Sequence, residues 1–313
     1  MTAIPYDDLA GARAATRRLI AHLDAVDLSE LPLPSRLPGW SRAHVVAHLV
    51  GNAQSHVRML DGCLAGEVRR SCAETSQYPR RGAEAGRLTR PRADGGRMPY
   101  TGEVVVGGPA DVRTEARLQI TKVATPPFDN NCYLLRCLDT GDTLLVDAAG
   151  DAPLLLDLVG DGRLVGVVET HGHWDHQQAL EQVVAASGAP VLCHPDDAGD
   201  LPVPVDRLVQ DGDTIEVGRC SVSVIALRGH TPGSIALLFE GDAHPHLFSG
   251  DSLFPGGPGR TTTPEDFGSL MDDLERKVFG LLSDETHVYP GHGKDTTLGI
   301  ERPSLSEWRD RGW

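Results

Sequence analysis

The sequence contains no long run of apolar residues. None of its hydrophobic stretches approaches the roughly 20 residues that a membrane-spanning helix needs. The N-terminal segment MTAIPYDDLAGARAATRRL also lacks the apolar core of a signal peptide. We therefore expect a cytoplasmic protein without a membrane partner.

Positive charge is also scarce. The 313 residues include 29 Lys and Arg against 44 Asp and Glu, which gives a formal net charge of -15. Nucleic acids and anionic membranes are bound by basic surfaces, because both partners carry dense negative charge. The charge balance therefore argues against either partner and leaves a small molecule as the expected one.

Closely paired cysteines are absent as well. The six cysteines are scattered without CxxC spacing, at positions 63, 72, 132, 137, 193 and 220. In a chain of this length the pattern indicates reduced or buried thiols rather than a disulfide framework. None of them has the spacing expected of a catalytic nucleophile.

The first zone of the chain, residues 1–67, is predicted to be helical. Apolar residues recur at helical spacing on both sides of LPLPSRLPGW. Two helices cannot bury both apolar faces alone, so they must pack on the rest of the chain or on a second copy. A homo-oligomer formed through these helices is one expected state. Residues 68–98 mix Arg with Gly, Ala and Pro, which predicts a solvated linker.

Residues 99–313 are predicted to form one α/β domain. Short runs rich in β-forming residues, such as RLQITKVAT, CYLLRCL, LVGVVET and SIALLFE, alternate with helical segments. TIEVG and SVSVIALRG are expected to pair as a hairpin. QQALEQVVAASG predicts a helix that Gly188 closes. Residues 264–282 predict an amphipathic helix, and a short helix containing Trp308 ends the chain.

Potential metal ligands follow four of the predicted strands. HGHWDH follows LVGVVET, His230 follows SVSVIALRG, Asp251 follows HLFSG, and His292 follows THVYPG. Strand ends that meet at one edge of a sheet are how an α/β fold builds a site from distant residues. Zinc and iron accept imidazole nitrogen and carboxylate oxygen. A ligand set without cysteine suits a catalytic site, where one coordination position stays open for water.

The spacing within HGHWDH supports two metal ions. Alternate residues of an extended loop point the same way, so its first two histidines can hold one ion and its Asp-His pair can face a second. The expected ligands of the first ion are His171, His173 and His230. The expected ligands of the second ion are Asp175, His176 and His292. Asp251 is expected to bridge both, since two nearby cations need an anion between them.

The order of these motifs resembles the metallo-β-lactamase superfamily. HxHxDH is followed by GHTPGS, SGDSLF and PGHG, and within the superfamily this pattern is similar to the glyoxalase II branch. The resemblance covers residues 99–313. It implies an αββα sandwich with two divalent metal ions at one edge, most readily zinc, with iron or manganese as alternatives. It also implies the seven ligands named above and a hydroxyacyl-thiol hydrolase activity.

In the mechanism that this resemblance implies, a bridging hydroxide attacks the acyl carbon of a thioester. A metal-bound water can ionise near neutral pH because its pKa falls toward ~7. Asp251 would bridge the two ions, and Asp175 would orient the nucleophile and briefly accept its proton. Arg260 in PGGPGR and Lys294 in PGHGK are candidates for contacting an anionic part of the substrate.

The thiol carrier is suggested by the N-terminal zone. The chain stops soon after PGHGKDTT, without the C-terminal helical domain that helps glyoxalase II enzymes to grip glutathione. Residues 10–68 instead resemble the start of the mycothiol-dependent maleylpyruvate isomerases, which are DinB-like helix bundles. His48 falls at that family's first metal histidine, but the later ligands are absent, so we interpret it as structural and expect no isomerase activity. The resemblance points to an S-acyl conjugate of mycothiol or of a similar small thiol as substrate.

Three alternatives remain open at this point. Persulfide dioxygenases resemble the same branch but hold one iron, which here would bind to His171, His230 and Asp251. A lactone hydrolase would use the same fold and ligands. The chain could also be an assembly module with a structural metal site, although structural zinc sites are usually closed sets rich in cysteine.

Overall fold

The computed structural model describes residues 100–115, 117–126 and 128–312. The predicted helical segment 1–67 and linker 68–98 lie outside the described residues, so self-association through those helices and the structural role of His48 stay predictions. None of the helices in the described part of the chain has both the length and the apolar character required to cross a bilayer.

Two β-sheets form the centre of the domain. The first sheet holds seven strands in the order of the sequence. They are β1 (Asp111–Thr114), β2 (Leu118–Thr125), β3 (Asn130–Cys137), β4 (Thr143–Val146), β5 (Leu164–Val168), β6 (Val191–Cys193) and β7 (Arg207–Leu208). The strands from β1 to β4 are antiparallel, whereas those from β4 to β7 are parallel.

The second sheet holds six strands in the order β15-β14-β11-β10-β9-β8. They are β8 (Thr214–Val217), β9 (Cys220–Ala226), β10 (Ile235–Glu240), β11 (Pro245–Gly250), β14 (His287–Pro290) and β15 (Thr296–Thr297). A separate two-stranded ribbon pairs β12 (Leu253–Phe254) with β13 (Gly257–Pro258). The hairpin predicted for TIEVG and SVSVIALRG is confirmed as β8 and β9.

Side-chain alternation explains why the two sheets stack. In β10, Ile235, Leu237 and Phe239 belong to the cluster shared by both sheets, whereas Ala236 and Leu238 face the opposite way. Successive residues of a strand point to opposite faces, so a strand that is apolar throughout must be covered on both.

Helices cover the two outer faces. They are α1 (Ala152–Val159), α2 (Leu180–Ser187), α3 (Pro264–Asp273), α4 (Leu298–Glu301) and α5 (Leu305–Arg311). The first two pack on the first sheet, and α3 and α5 pack on the second. Gly188 closes α2 in the left-handed region (φ 68°), as predicted. The layers are helix, sheet, sheet, helix, which confirms the expected α/β sandwich.

The long helix predicted over residues 264–282 differs from the structure. The α-helical part ends at Asp273, and Leu274–Phe279 continues as a π-helical turn. Buried apolar residues continue through that turn, including Leu274, Val278 and Phe279. The hydrophobic pattern therefore showed which face packs on the sheet but not the change in helical pitch.

Candidate metal centre

The predicted ligands follow the ends of four strands that meet at one edge of the sandwich. HGHWDH begins after β5, and Trp174–His176 forms one 3-10 turn. His230, Asp251 and His292 follow β9, β11 and β14. The structure thereby brings together all seven predicted side chains, although they are spread in the sequence from residue 171 to residue 292.

The side chains fall into the groups that the sequence predicted. His171, His173 and His230 present ligand atoms within 4.8 Å of one another, and Asp175, His176 and His292 do the same. A third group within this limit combines His171 and His176 with Asp147, which was not predicted.

Asp251 lies between the two predicted groups. Its Oδ1 is 3.4 Å from Nε2 of His176, and its Oδ2 is 3.6 Å from Nε2 of His230 and 3.5 Å from Nε2 of His292. These separations are too long for good hydrogen bonds. They match two ligands of one ion, because atoms about 2.1 Å from a tetrahedral ion lie about 3.4 Å apart.

Unpartnered buried atoms provide an independent test of whether an ion fits. Nε2 of His171, Nε2 of His230 and Oδ1 of Asp251 are buried without a hydrogen-bond partner among the described residues. Burying such atoms without a partner costs free energy, so native proteins rarely leave them unpaired. A cation between them would satisfy all three, so the residues present fit a metal centre.

Hydrogen bonds on the far side of each ring orient the imidazoles. Nδ1 of His230 donates to the Arg260 carbonyl oxygen at 2.7 Å, and Nδ1 of His292 donates to that of Phe128 at 3.2 Å. These bonds place the ring proton on Nδ1, which leaves the lone pair of Nε2 directed at the centre of the site. Such outer contacts are typical of metal-binding histidines.

Asp147 orients two further histidines. Its Oδ2 accepts a hydrogen bond from Nδ1 of His176 at 2.9 Å and another from the Thr170 hydroxyl at 2.8 Å. That hydroxyl lies 3.0 Å from Nδ1 of His171. Asp147 also has φ 57°, a left-handed conformation that it shares with Asp129 and Asp151 and that is uncommon for residues other than glycine. The signal in the sequence was an aspartate directly after the predicted strand TLLVDAA.

Asp197 is a second residue of the site that was not predicted from the sequence. Its carboxylate accepts hydrogen bonds from the backbone N–H of Gly172 at 2.8 Å and of Gly233 at 2.7 Å, and from the Thr231 hydroxyl at 2.5 Å. It therefore ties the HGHWDH loop to the loop that carries His230. The acidic pair in VLCHPDD was the only local signal.

Gly291 is required by close packing within the site. A Cβ atom at this position would lie 2.2 Å from Oδ1 of Asp251 and 2.7 Å from Cε1 of His176. Real Cβ atoms do not approach other atoms so closely, so only glycine lets the loop before His292 pass this near to the carboxylate.

The carboxylates of the centre are held in their ionised form. Burial opposes ionisation of Asp251, but the imidazoles of His292 and His176 hold the pKa of that carboxyl well below its usual range. Without an ion, burial would lower the pKa of His292, whereas the charge of Asp251 and a hydrogen bond to Asp175 raise it to about 9, so an ion that binds to Nε2 would displace a proton. Burial and the positive charge of His176 lower the pKa of His171. Burial likewise opposes ionisation of Asp175, but a hydrogen bond to His292 and the charge of His176 hold its pKa low, so Asp175 and Asp251 both bring negative charge to the site.

Aromatic residues border the site. Trp174 is 48% exposed, and its ring packs edge-on against Phe128 with the centroids 5.5 Å apart. The ring of Phe254 lies 6.4 Å from that of His292. Arg260 and Lys294 are exposed next to ligand-bearing residues, so their roles in substrate binding stay predictions.

Comparison with family models gives two matches. The metallo-β-lactamase superfamily matches residues 125–292. The mycothiol maleylpyruvate isomerase N-terminal domain matches residues 12–133, a longer segment than the sequence argument assigned to it. The second match confirms the resemblance of the N-terminal zone, and its last residues overlap the start of the first match.

Individual relatives agree with the first match. A hydroxyacylglutathione hydrolase of Fuscovulum blasticum is 40% identical over 167 residues, which are 52% of this chain and 62% of that protein. The match also spans 62% of the length of a hydroxyacylglutathione hydrolase of Rhodospirillum rubrum, so the chain covers less than two thirds of these two relatives. These similarities support the prediction of a metal-dependent hydrolase.

Two solved structures share the fold. ETHE1 from Myxococcus xanthus has a TM-score of 0.53 and 29% identity, and the match covers 61% of this chain and 84% of that one. The protein TTHA1623, solved in a di-iron-bound form, has a TM-score of 0.50 and 31% identity, with coverage of 58% and 96%. The second similarity shows that a protein of this fold holds two metal ions.

Proposed function

Because the chain belongs to the metallo-β-lactamase superfamily, we propose that it is a metal-dependent hydrolase that cleaves the thioester bond of an S-acyl conjugate of a small thiol. His171, His173 and His230 would hold one ion, and Asp175, His176 and His292 would hold the other, with Asp251 shared between them. Zinc is the expected metal. The observation that carries the proposal is that Nε2 of His171, Nε2 of His230 and Oδ1 of Asp251 are buried without hydrogen-bond partners among the described residues and lie around the same point.

Divalent ions bound in such a site lower the pKa of water and polarise a carbonyl group. The side chains of the chain itself supply orientation and proton acceptance. Oδ2 of Asp175 accepts a hydrogen bond from Nδ2 of Asn130 at 3.1 Å, which fixes the direction of this carboxylate. Asp175 would take the proton of the attacking water, and the departing thiolate needs no proton because it is already a good leaving group.

The substrate class is inferred from the relatives and from the border of the site. Relatives named hydroxyacylglutathione hydrolases support an acyl-thiol bond as the target. The match of residues 12–133 supports mycothiol as the thiol. The exposed ring of Trp174, braced by Phe128, offers apolar surface to an acyl chain at the entrance of the site.

Metal analysis combined with a substrate panel tests this proposal. Purified full-length protein is analysed for metal content and assayed with matched S-lactoyl conjugates of mycothiol and glutathione, a lactone, a β-lactam and a persulfide. We expect two ions per chain, hydrolysis of the thioesters, and faster turnover of the mycothiol conjugate.

Variants separate the proposed site from general effects on folding. His171→Ala should lose metal and thioesterase activity, whereas His244→Ala should keep both, because His244 is exposed and lies outside the three ligand groups. One iron per chain with persulfide-dependent oxygen uptake would identify a dioxygenase instead. Retention of full thioesterase activity by metal-depleted His171→Ala protein would refute the ligand assignment.

A further inference from the structure

Two cysteines meet at the edge of the sandwich opposite to the metal centre. Cys137 is the last residue of β3, whose first residue, Asn130, contacts Asp175 in the metal centre. The strand has eight residues, so its ends lie roughly 23 Å apart. Cys220 is the first residue of β9 in the other sheet. The pair therefore spans both sheets at a distance from every proposed ligand.

The backbone around the pair brings the two sulfur atoms together. The Cys137 sulfur is close enough to the Cys220 thiol to influence its ionisation. The Arg117 carbonyl accepts hydrogen bonds from the Cys220 thiol at 3.6 Å and from the N–H of Leu138 at 2.8 Å, so both cysteines flank one peptide group. The N–H of Arg219 donates to Cys137 Sγ at 3.4 Å.

A glycine makes this approach possible. Gly218 lies in the turn between β8 and β9 with φ 64°, and a Cβ atom there would lie 3.0 Å from Cys137 Sγ and 2.1 Å from the Thr140 hydroxyl oxygen. Only glycine lets the turn press against the end of β3. The exposed fractions are 0% for Cys137 and 7% for Cys220, so the pair is covered and belongs to the core between the sheets.

The two sulfur atoms differ in their surroundings. Burial opposes ionisation of Cys137, but hydrogen bonds from the Thr140 hydroxyl and from backbone N–H groups, including that of Arg219, lower the pKa of its thiol to about 7. Burial and the neighbouring Cys137 raise the pKa of Cys220 to about 11. Cys137 is therefore the sulfur of the pair that ionises more readily, and Cys220 keeps its proton, as in an attacking and a resolving cysteine.

We propose that Cys137 and Cys220 form a peroxide-sensitive dithiol whose oxidation joins the two sheets through a disulfide. The Cys137 thiolate attacks one oxygen of hydrogen peroxide, which forms a sulfenic acid and releases hydroxide. The Cys220 sulfur then attacks the Cys137 sulfur, and the sulfenic oxygen leaves as water together with the Cys220 proton. The two sulfur atoms lose two electrons, which reduce the peroxide O–O bond, and a small thiol reverses the step.

Peptide mapping tests the proposal directly, because both cysteines directly follow arginine in the sequence. Trypsin places Cys137 in residues 137–163 and Cys220 in residues 220–228, and the other four cysteines lie in four other tryptic peptides. The full-length protein is treated with graded hydrogen peroxide, alkylated, digested without reductant and analysed by mass spectrometry. We expect the linked peptide 137–163/220–228 at peroxide doses that leave Cys132 and Cys193 alkylated.

The oxidised protein should also be more stable. The disulfide closes a long loop, so Tm should rise by about 5–10 °C and return to its original value after reduction. Cys220→Ser should instead accumulate a Cys137 sulfenic acid that a cyclic dione traps, and Cys137→Ser should leave Cys220 unmodified. Cys132→Ser is the matched control, since it removes a buried cysteine of the same strand and should keep the linked peptide and the Tm shift.

Absence of the linked peptide at doses that oxidise other cysteines would overturn the proposal, as would equal peroxide reactivity of Cys137 and Cys132. If a serine variant fails to fold, the linked peptide and the reversible Tm shift of the wild-type chain still decide the question. Neither cysteine is part of the proposed active site, so loss of thioesterase activity would not affect this test.

Discussion

Two buried polar clusters lie close together in this domain: one around Lys122 and Asp295, and the other at the candidate metal centre. They differ in whether their buried polar atoms have hydrogen-bond partners. Lys122 is fully buried, and its Nζ donates to Oδ1 of Asp295 at 2.6 Å and to the carbonyls of Gly102 and Gly293 at 2.8 and 2.7 Å. The other carboxylate oxygen of Asp295 accepts the Tyr100 hydroxyl at 2.6 Å. The three ammonium protons and the carboxylate thus all have partners.

The metal cluster next to it leaves atoms unpaired. The loop that supplies Gly293 also supplies His292, yet Nε2 of His171, Nε2 of His230 and Oδ1 of Asp251 have no hydrogen-bond partner among the described residues. A buried ion pair that satisfies its own hydrogen bonds is structural, whereas buried donor atoms that converge without partners indicate a missing ligand. This difference, more than the number of histidines, identifies the functional site.

Removing the shared carboxylate should have the largest effect. Asp251→Ala takes away the group that lies within 3.6 Å of His176, His230 and His292. We expect thioesterase activity to fall about 10³-fold or more, with little change in the unfolding midpoint of the metal-free protein. Steady-state kinetics and urea unfolding measure the two quantities. A variant with near wild-type turnover would contradict the role of Asp251.

The structural cluster should respond in the opposite way. Lys122→Met leaves Asp295 buried without its cation, which should lower the free energy of unfolding by about 3–5 kcal/mol. Adding Asp295→Asn removes the uncompensated charge and should recover part of this loss. Denaturant unfolding of the single and double variants measures it. If Lys122→Met were as stable as the wild type, the proposed contrast between the clusters would fail.

An intermediate effect, on metal affinity, is expected at Asp147. This residue contacts the proposed ligands His176 and, through Thr170, His171, but it is not itself a predicted ligand. Asp147→Asn weakens the hydrogen bonds to Nδ1 of His176 and to Thr170. Metal affinity should fall about 10–100-fold, as for other residues that orient ligands. Competition with a chromogenic chelator measures the affinity. Loss of all metal binding would make Asp147 a ligand itself, and unchanged affinity would leave it without an orienting role.

The smallest effect concerns an ion pair remote from both clusters. Asp273 accepts hydrogen bonds from Nε of Arg228 at 3.1 Å and from Nη2 of Arg276 at 2.8 Å. Burial opposes its ionisation, but the hydrogen bond from Arg228 and the charge of Lys277 hold its pKa below the usual value. Since the folded pKa is depressed, the stabilisation is present above about pH 4 and is lost as the pH falls further.

Asp273→Asn should therefore lower Tm by about 3 °C at pH 7. The difference from the wild type should shrink as the pH falls below about 4 and should vanish once the pH is below the depressed pKa of Asp273. Melting curves at several pH values measure it, with the exposed Asp310→Asn as control. A difference that grows with acid would show that the charge of Asp273 does not stabilise the fold.

The sequence was enough to predict the fold and the ligands of the site, but not the residues that orient those ligands. The β-rich runs predicted an α/β domain, and the order of the motifs predicted the sandwich through its resemblance to a known family. The seven side chains were predicted because they follow β5 of one sheet and β9, β11 and β14 of the other, whose ends meet at one edge of the sandwich. Asp147 and Asp197 were missed, since their roles depend on contacts with loops far away in the chain. The contact between Cys137 and Cys220 was also invisible, because it depends on how the two sheets stack.

Anomalous diffraction from crystals grown with excess zinc is the sharpest test of a two-ion centre at these seven ligands. We expect two adjacent anomalous peaks, one beside His171, His173 and His230 and the other beside Asp175, His176 and His292, with the Asp251 carboxylate contacting both. No peak in this space under metal-replete conditions, or zinc bound only elsewhere on the chain, would contradict it.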